Sequence, residues 1–275
     1  MLIPTFYLDT NAIQSLGSTL CHFSNKYVFT SIWVEMELVS SISDDDSFRK
    51  KKAALRNLVE SGIDVDVLPP PYRMLESFGI ATTNWFSVDT WNRFINELLE
   101  AKDYDHWQSS CDKEVLKYIK VIDSVDEEFK EAIGKRFASG TAKERKMNFA
   151  TKFNGSLNDI YKDALGYYVD LFEKKFKVPQ YQLISQYDSS QDVFMVVQYY
   201  YVEMKAANHD APARNDFNDL LHLHYIKNNC YLVTDDKGFA KCVNDVLKGH
   251  AITVNEFKAI IVNSKLNKSE INKPL

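Results

Sequence analysis

The sequence predicts an α/β fold with a central parallel sheet that is interrupted by a mostly helical insertion. Short apolar strands alternate with helices over residues 1–68 and again from about residue 208, and such alternation is typical of βαβ units. Residues 69–207 instead contain few glycines, many aromatic residues and apolar residues at helical spacing. We therefore expect one discontinuous domain, formed by 1–68 and 208–275, with 69–207 inserted into it.

The first part of the chain contains three predicted strands separated by helices. The strands are short runs rich in β-branched and aromatic residues, and they cover residues 5–8, 27–30 and 63–68. The intervening helices are predicted over 12–20, 31–42 and 48–61, with the acidic run at 44–46 separating the last two. Three consecutive prolines at 69–71 then predict an end to regular structure and a boundary.

The last part of the chain resumes the same alternation. Helices are predicted over 216–227, over 238–247 and from Glu256 onward, and strands over 230–234 and 251–254. Within the insertion, apolar residues at helical spacing occur at 94–99 and 115–122. The pattern therefore places two parts of one sheet on either side of a helical block.

Composition excludes several classes of protein. The 275 residues include 33 basic and 38 acidic side chains, a formal charge of −5, which excludes a uniformly basic DNA-coating protein. The four cysteines show no CxxC or zinc-ligand spacing and are typical of reduced cytosolic thiols. No apolar run approaches the roughly 20 residues of a membrane helix, and the first residues lack a basic signal region. We therefore expect a cytoplasmic protein without membrane contact.

Acidic residues stand at the ends of the predicted strands. Asp9 directly follows the first strand, and Asp235 and Asp236 follow the strand at 230–234. In an open parallel sheet, sites form in the crevice outside the carboxyl ends of the strands. Glu37 lies about two turns into the helix after the second strand and Asp219 in the first turn of its helix, and both helices can point into the same crevice.

A cluster of this kind has a defined chemistry. Carboxylates that meet raise one another's pKa values unless a cation neutralises them. Oxygen ligands favour Mg²⁺ or Mn²⁺ over zinc, and such ions activate water for hydrolysis of phosphodiesters. The residues therefore point to metal-dependent cleavage of nucleic acid.

Four stretches, together with the residues that close the sheet, resemble the signature segments of PIN-domain ribonucleases. They occur in the order that the family shows, and the resemblance covers about 1–68 and 208–262. The four stretches are residues 6–11, 30–38, 218–223 and 232–239, and the closing strand and helix are at 251–257.

The resemblance implies a three-layer α/β/α fold and a metal-dependent ribonuclease activity. By residue, it implies that the catalytic acids and metal ligands are Asp9, Glu37, Asp219 and Asp236, with Asp235 as an adjacent ligand candidate. Side chains expected around these acids are Thr234, which would orient one of them, and Asn11, Ser31, Asp216 and His222. Where the family has small residues after the third acid, this chain has a histidine-rich stretch, 222–224.

The insertion contains a basic run. Between residues 135 and 152 there are six basic residues and one acid, Glu144. A run of this kind is either a solvated face or a set of phosphate contacts. The candidates for nucleic-acid binding are Lys135, Arg136, Lys143, Arg145 and Lys146.

The leading expectation is an endoribonuclease that uses Mg²⁺ or Mn²⁺ and leaves a 5′-phosphate and a 3′-hydroxyl. A toxin-like or defence-related role, with a protein inhibitor or partner and an oligomeric state left open, follows from family analogy alone. Two alternatives remain. The same acids would serve a DNA-cleaving 5′-nuclease-like enzyme, because nothing in the sequence identifies a contact to the 2′-hydroxyl. A non-catalytic scaffold would bind a protein through its helical insertion.

Overall fold

The computed structural model of the chain describes residues 4–24, 26–82, 87–110, 141–153, 157–208, 210, 216–227 and 229–263. Its sheet has five parallel strands in the order β3-β2-β1-β4-β5. The strands are β1 (Thr5–Leu8), β2 (Val28–Ser31), β3 (Asp64–Asp66), β4 (Cys230–Val233) and β5 (Ala251–Ile252). The prediction of an α/β fold with a parallel sheet is confirmed.

Helices account for most of the rest of the described chain. Two short 3₁₀ segments, Gly17–His22 and His222–Tyr225, follow α1 and α11. The α-helices are α1 (Thr10–Leu16), α2 (Ile32–Ser40), α3 (Asp45–Ser61), α4 (Pro70–Ser77), α5 (Val88–Glu100), α6 (Tyr104–Ser110), α7 (Ala142–Phe153), α8 (Leu157–Phe176), α9 (Gln180–Gln186), α10 (Asp192–Asn208), α11 (Asp216–Leu221), α12 (Lys237–Val246) and α13 (Val254–Asn263).

The strand order creates a crevice beside the central strand. The chain builds outward from β1 to β2 and β3, and it then returns to place β4 on the other side of β1. Leu8 pairs with Val233 at the carboxyl ends of β1 and β4, so Asp9 and Thr234 leave the sheet side by side. Such a reversal in strand order marks the usual location of a binding site in an open parallel sheet.

Both faces of the central strand are covered. Successive side chains of a strand point to opposite faces. On one face, Phe6 makes an edge contact with Phe257 of α13, with ring centroids 5.3 Å apart. On the other face, Tyr7 stacks on Tyr225 of the second 3₁₀ segment at 5.3 Å. The helical segments therefore enclose the sheet from both sides, which explains why β1 is apolar throughout.

The acidic run before α3 acts as a helix start. Asp44 accepts a hydrogen bond from the Ser47 amide, and the Ser47 hydroxyl accepts one from the Asp44 amide, so the two form a capping box. The helix consequently begins at Asp45, three residues before the predicted start.

The triple proline does not end regular structure, and that prediction is wrong. Pro69 precedes α4, and Pro70 occupies its first turn. The amide hydrogens of a first helical turn have no partner within the helix, so proline costs nothing there and its fixed φ favours the helix. Proline stops a helix from its interior but can start one at its amino end.

The inserted helices and the sheet share a buried core. Trp91 of α5, Phe194 of α10 and Phe6 of β1 belong to the same cluster of buried apolar side chains. The helix predicted over 94–99 lies within α5, whereas the one predicted over 115–122 falls outside the described residues. The division at 69–207 stays a prediction. Across the described ranges, no helix is long and apolar enough to cross a bilayer.

Candidate acidic site at the switch point of the sheet

Asp9 lies at the bottom of the crevice and is 2 % exposed. Its Oδ1 accepts a 2.7 Å hydrogen bond from the Ala12 amide and so caps α1, and the Thr234 hydroxyl also donates to its carboxylate. Burial raises the pKa of Asp9 to about 6, although His222, Thr234 and the Ala12 amide partly offset this effect. Asp9 therefore does more than cap the helix, because the carboxyl group of an exposed capping aspartate would not have a raised pKa.

Asp219 has the most strongly perturbed carboxyl group of the site. Burial, followed by the charge of Glu37 and smaller contributions from Asp236 and Asp9, raises its pKa to about 8, against a lowering by His222. The four predicted acids therefore lie within electrostatic reach of one another. Charges that repel in this way are characteristic of functional sites.

Glu37 is held by a network of hydrogen bonds. Its Oε2 accepts from Nε2 of His222 at 2.9 Å and from the Thr10 hydroxyl. Nδ1 of His222 lies 2.7 Å from the Tyr7 hydroxyl, which lies 2.7 Å from the Ser31 hydroxyl. The network thus connects β1, β2, α1, α2 and the second 3₁₀ segment around one carboxylate.

His222 interacts electrostatically with three of the acids. Burial lowers the pKa of the imidazole, but the carboxylates of Glu37, Asp9 and Asp219 outweigh this effect and raise it above its usual value. The sequence placed His222 next to the acids, and the structure brings its ring into contact with Glu37.

The two adjacent acids after β4 face different elements. Asp236 caps α12, since its Oδ1 accepts from the Phe239 amide at 2.8 Å, and its charge raises the pKa of Asp219. Asp235 is exposed and accepts from the Val254 amide at the start of α13, at 3.2 Å. Asp236 is therefore the better candidate of the pair.

The remaining side chains expected near the acids occupy different surroundings. Thr234 is fully buried, and its hydroxyl accepts from the Asp236 amide at 3.0 Å, so it links two of the acids. Asp216 accepts from the Tyr201 hydroxyl and lies 3.3 Å from Nζ of Lys205, both on α10. Asn11 is exposed on α1.

Glu35 and Glu37 are two residues apart on α2 and lie on different faces of the helix, which predicts that one of them faces solvent. That prediction is wrong. Glu35 is 7 % exposed, and its Oε2 accepts a 2.7 Å hydrogen bond from the Trp91 indole. The Glu37 side chain is 16 % exposed. The helix packs against α1, α3 and β2, and Trp91 of α5 reaches Glu35, so both glutamates are enclosed although they lie on different faces of the helix.

The basic run divides into exposed and structural residues. Lys143 and Lys146 are exposed on α7. Arg145 donates from Nε to the Ala206 carbonyl at 3.0 Å and so attaches α7 to the end of α10. Lys135 and Arg136 lie outside the described residues.

Sequence reasoning missed Tyr7 and Thr10. A tyrosine in a buried strand needs a partner for its hydroxyl, and Tyr7 lies two residues before the first acid. The position of Tyr7 in a buried strand close to Asp9 could have indicated that its hydroxyl belongs to the site. Thr10 follows Asp9 directly, and only the fold shows that it reaches Glu37.

The acids fit a divalent cation in their chemistry, because four carboxylates offer the hard oxygen ligands that Mg²⁺ and Mn²⁺ prefer. Burial and, to a smaller extent, the neighbouring acids raise the pKa values of Asp9 and Asp219, and a cation would stabilise the ionised carboxylates against both effects. Among the described residues, however, no three acidic, histidine or cysteine side chains are arranged closely enough to hold an ion. Binding would thus have to draw the carboxylates together.

Comparisons with protein-family models, with curated proteins and with solved structures give no match for this chain. What the chain does is therefore inferred from its residues and their geometry.

Proposed function

We propose that the chain is a cytoplasmic, metal-dependent endoribonuclease of the PIN type. One observation carries this proposal. Carboxylates from β1, α2, α11 and the end of β4 lie around the switch point of a parallel sheet, where burial, with a smaller contribution from the neighbouring acids, raises the pKa values of Asp9 and Asp219. A cluster of acids in a crevice costs stability, which indicates a function that uses their charge.

Within this proposal, Asp9, Asp219 and Asp236 hold Mg²⁺ or Mn²⁺, together with Glu37. When bound, such an ion activates water and neutralises charge on the scissile phosphate. Other side chains of the protein hold the carboxylates in place. Tyr7 and His222 orient Glu37, and Thr234 orients Asp9 through its hydroxyl while it binds the Asp236 amide.

A direct assay tests the proposal. Wild-type protein is incubated with end-labelled single-stranded RNA, and in parallel with DNA of the same sequence, in Mn²⁺, in Mg²⁺ and in EDTA. We expect cleavage of RNA with either metal, products with a 5′-phosphate and a 3′-hydroxyl, and none in EDTA. Cleavage of DNA alone would support the 5′-nuclease alternative. If the protein cleaves neither RNA nor DNA, the nuclease proposal is contradicted and the scaffold alternative is favoured. A toxin-like or defence-related role also requires that RNA is cleaved.

The exposed lysines of α7 provide a second test. We expect the double variant Lys143→Ala/Lys146→Ala to bind single-stranded RNA more weakly in EDTA, with a slope of log affinity against log salt reduced by about 1.4, since each contact contributes about 0.7 on single strands. Fluorescence anisotropy at several salt concentrations measures this slope. Arg145 is left intact because it supports α10. An unchanged slope would remove these lysines from the binding surface.

A further inference from the structure

A cavity lies between α2 and α11, the helices that carry Glu37 and Asp219. It has a volume of about 350 Å³ and is enclosed by α2, α4, α8, α10, α11 and the second 3₁₀ segment. A volume of this size is within the range of small-molecule sites. Its walls are mainly apolar, and they include six aromatic side chains: Trp33, Tyr168, Phe172, Phe176, Phe194 and Phe217.

The cavity and the acids share their supporting elements. Trp33 is one helical turn from Glu37 on α2, and residues four apart lie on the same face of a helix. The Trp33 indole donates to the carbonyl of Asn218, the residue before Asp219, at 3.3 Å. On the second 3₁₀ segment, His222 contacts Glu37 whereas His224 lines the cavity. The cavity wall and the acids thus share α2 and the second 3₁₀ segment.

His224 places one polar atom in the aromatic wall. Its Nδ1 lies 2.5 Å from Oε1 of Gln191, whose Nε2 donates to the His224 carbonyl at 3.3 Å. Because Oε1 is an acceptor, Nδ1 must carry the proton. Burial lowers the pKa of His224 well below its usual value, so the ring is neutral, and Nε2 is left as an acceptor.

The mouth of the cavity carries a positive charge. Leu171 and Lys175 stand one helical turn apart on α8, and both are exposed. Lys175 is therefore placed to meet an anionic group attached to whatever enters. The interior offers flat aromatic surfaces, the acceptor Nε2 of His224 and the side chain of Gln198, and the entrance offers a cation.

We propose that this cavity binds one unstacked nucleobase of single-stranded RNA, next to the phosphate at the acids. The inference rests on the proposed nuclease function. Aromatic side chains bind bases through their π-faces, His224 Nε2 accepts from an N–H of the base, and Lys175 contacts a backbone phosphate. A base and its phosphate are separated by one ribose, which suits a cavity whose wall shares α2 and the second 3₁₀ segment with the acids. An acyl chain would use neither the aromatic planes nor the acceptor.

The substitution Phe217→Leu tests this assignment, because it removes an aromatic surface and keeps an apolar one. Binding is measured in EDTA by anisotropy, with a labelled adenosine oligonucleotide and with an abasic oligonucleotide of the same length. We expect wild-type protein to prefer the oligonucleotide with bases, and Phe217→Leu to reduce this preference about ten-fold. Tyr181→Leu, at an exposed tyrosine outside the cavity, should leave it unchanged.

The ratio of the two affinities is measured on one protein sample, so a partly unfolded variant does not distort it. An unchanged ratio in Phe217→Leu would overturn the proposal. A second measurement adds sodium laurate to wild-type protein and to Phe217→Leu. If laurate raises both melting temperatures equally and displaces no RNA, the cavity is a lipid site and the proposal is overturned.

The cleavage assay separates this proposal from the proposed function. Base-dependent binding without any cleavage in Mn²⁺ would contradict only the nuclease function. Cleavage by Phe217→Leu with the base preference of wild type would contradict only the base-binding cavity.

Discussion

Replacing Asp219 by asparagine should abolish RNA cleavage and raise the melting temperature of the protein at neutral pH. The loss of activity should be at least about a thousand-fold, since an essential group that acts on the reacting centre contributes on the order of 10²–10⁴. Initial rates with end-labelled RNA in Mn²⁺, together with thermal melts in EDTA, measure the two effects.

The gain in stability follows from the raised pKa of Asp219, which is about 8 in the folded protein against 3.8 as its ordinary value. A carboxyl group whose pKa is higher in the folded state releases its proton more easily on unfolding. The free energy of unfolding therefore falls as the pH rises between these two values. Asparagine has no proton to release, so the variant escapes this loss, and its advantage should increase from pH 4 to pH 8.

Asp9→Asn should behave in the same way, because asparagine also caps helices and so preserves the hydrogen bond to the Ala12 amide. Asp163→Asn, at an exposed acid in the middle of α8, is the matched control and should change neither property. Full cleavage activity in Asp219→Asn would contradict the assignment of the site. A large loss of stability at pH 7 would show that Asp219 is structural.

Glu35 should make the protein less stable at alkaline pH. Burial raises its pKa to about 7 from 4.5, although the Trp91 indole partly offsets this by donating to it. As for Asp219, the free energy of unfolding falls as the pH rises from 4.5 to about 7, and it stays low above pH 7. We expect Glu35→Gln, which retains an acceptor for Trp91, to gain about 2 kcal/mol relative to wild type between pH 5 and pH 8.

Denaturant unfolding of both proteins at several pH values measures this difference. Comparison with wild type cancels the titration of the other acids, which remain in both proteins. If the free energy of unfolding changes equally with pH in wild type and in Glu35→Gln, the pKa of Glu35 is not raised in the folded protein. Glu60→Gln, at an exposed glutamate of α3, serves as the control and should follow the wild-type curve.

The strands were predictable because β1, β2 and β4 are buried apolar runs whose pattern is local. Asp9 and Asp236 follow from the same pattern, since a residue after a parallel strand must emerge at the crevice. The start of α4 was missed because proline has opposite meanings in the first turn and in the interior of a helix.

Features formed between distant segments were not predictable from the sequence. Trp33, Tyr168 and Phe217 face one cavity, although more than a hundred residues separate the first from the others. Glu35 was expected to be exposed if Glu37 was not, and only the packing of α5 against α2 shows why both are enclosed. Tertiary contacts of this kind have no local pattern in the chain.

The position of β1 between β2 and β4 has a consequence during protein synthesis. The ribosome releases Asp9 early, but Thr234 and Asp219 emerge more than 200 residues later, at about 10 residues per second roughly 20 s afterwards. Until then the nascent chain has half a sheet and an incomplete set of acids. If the protein is a nuclease, it becomes active only after Asp219 and Thr234 have emerged, so a shorter nascent chain cannot attack the message from which it is being translated.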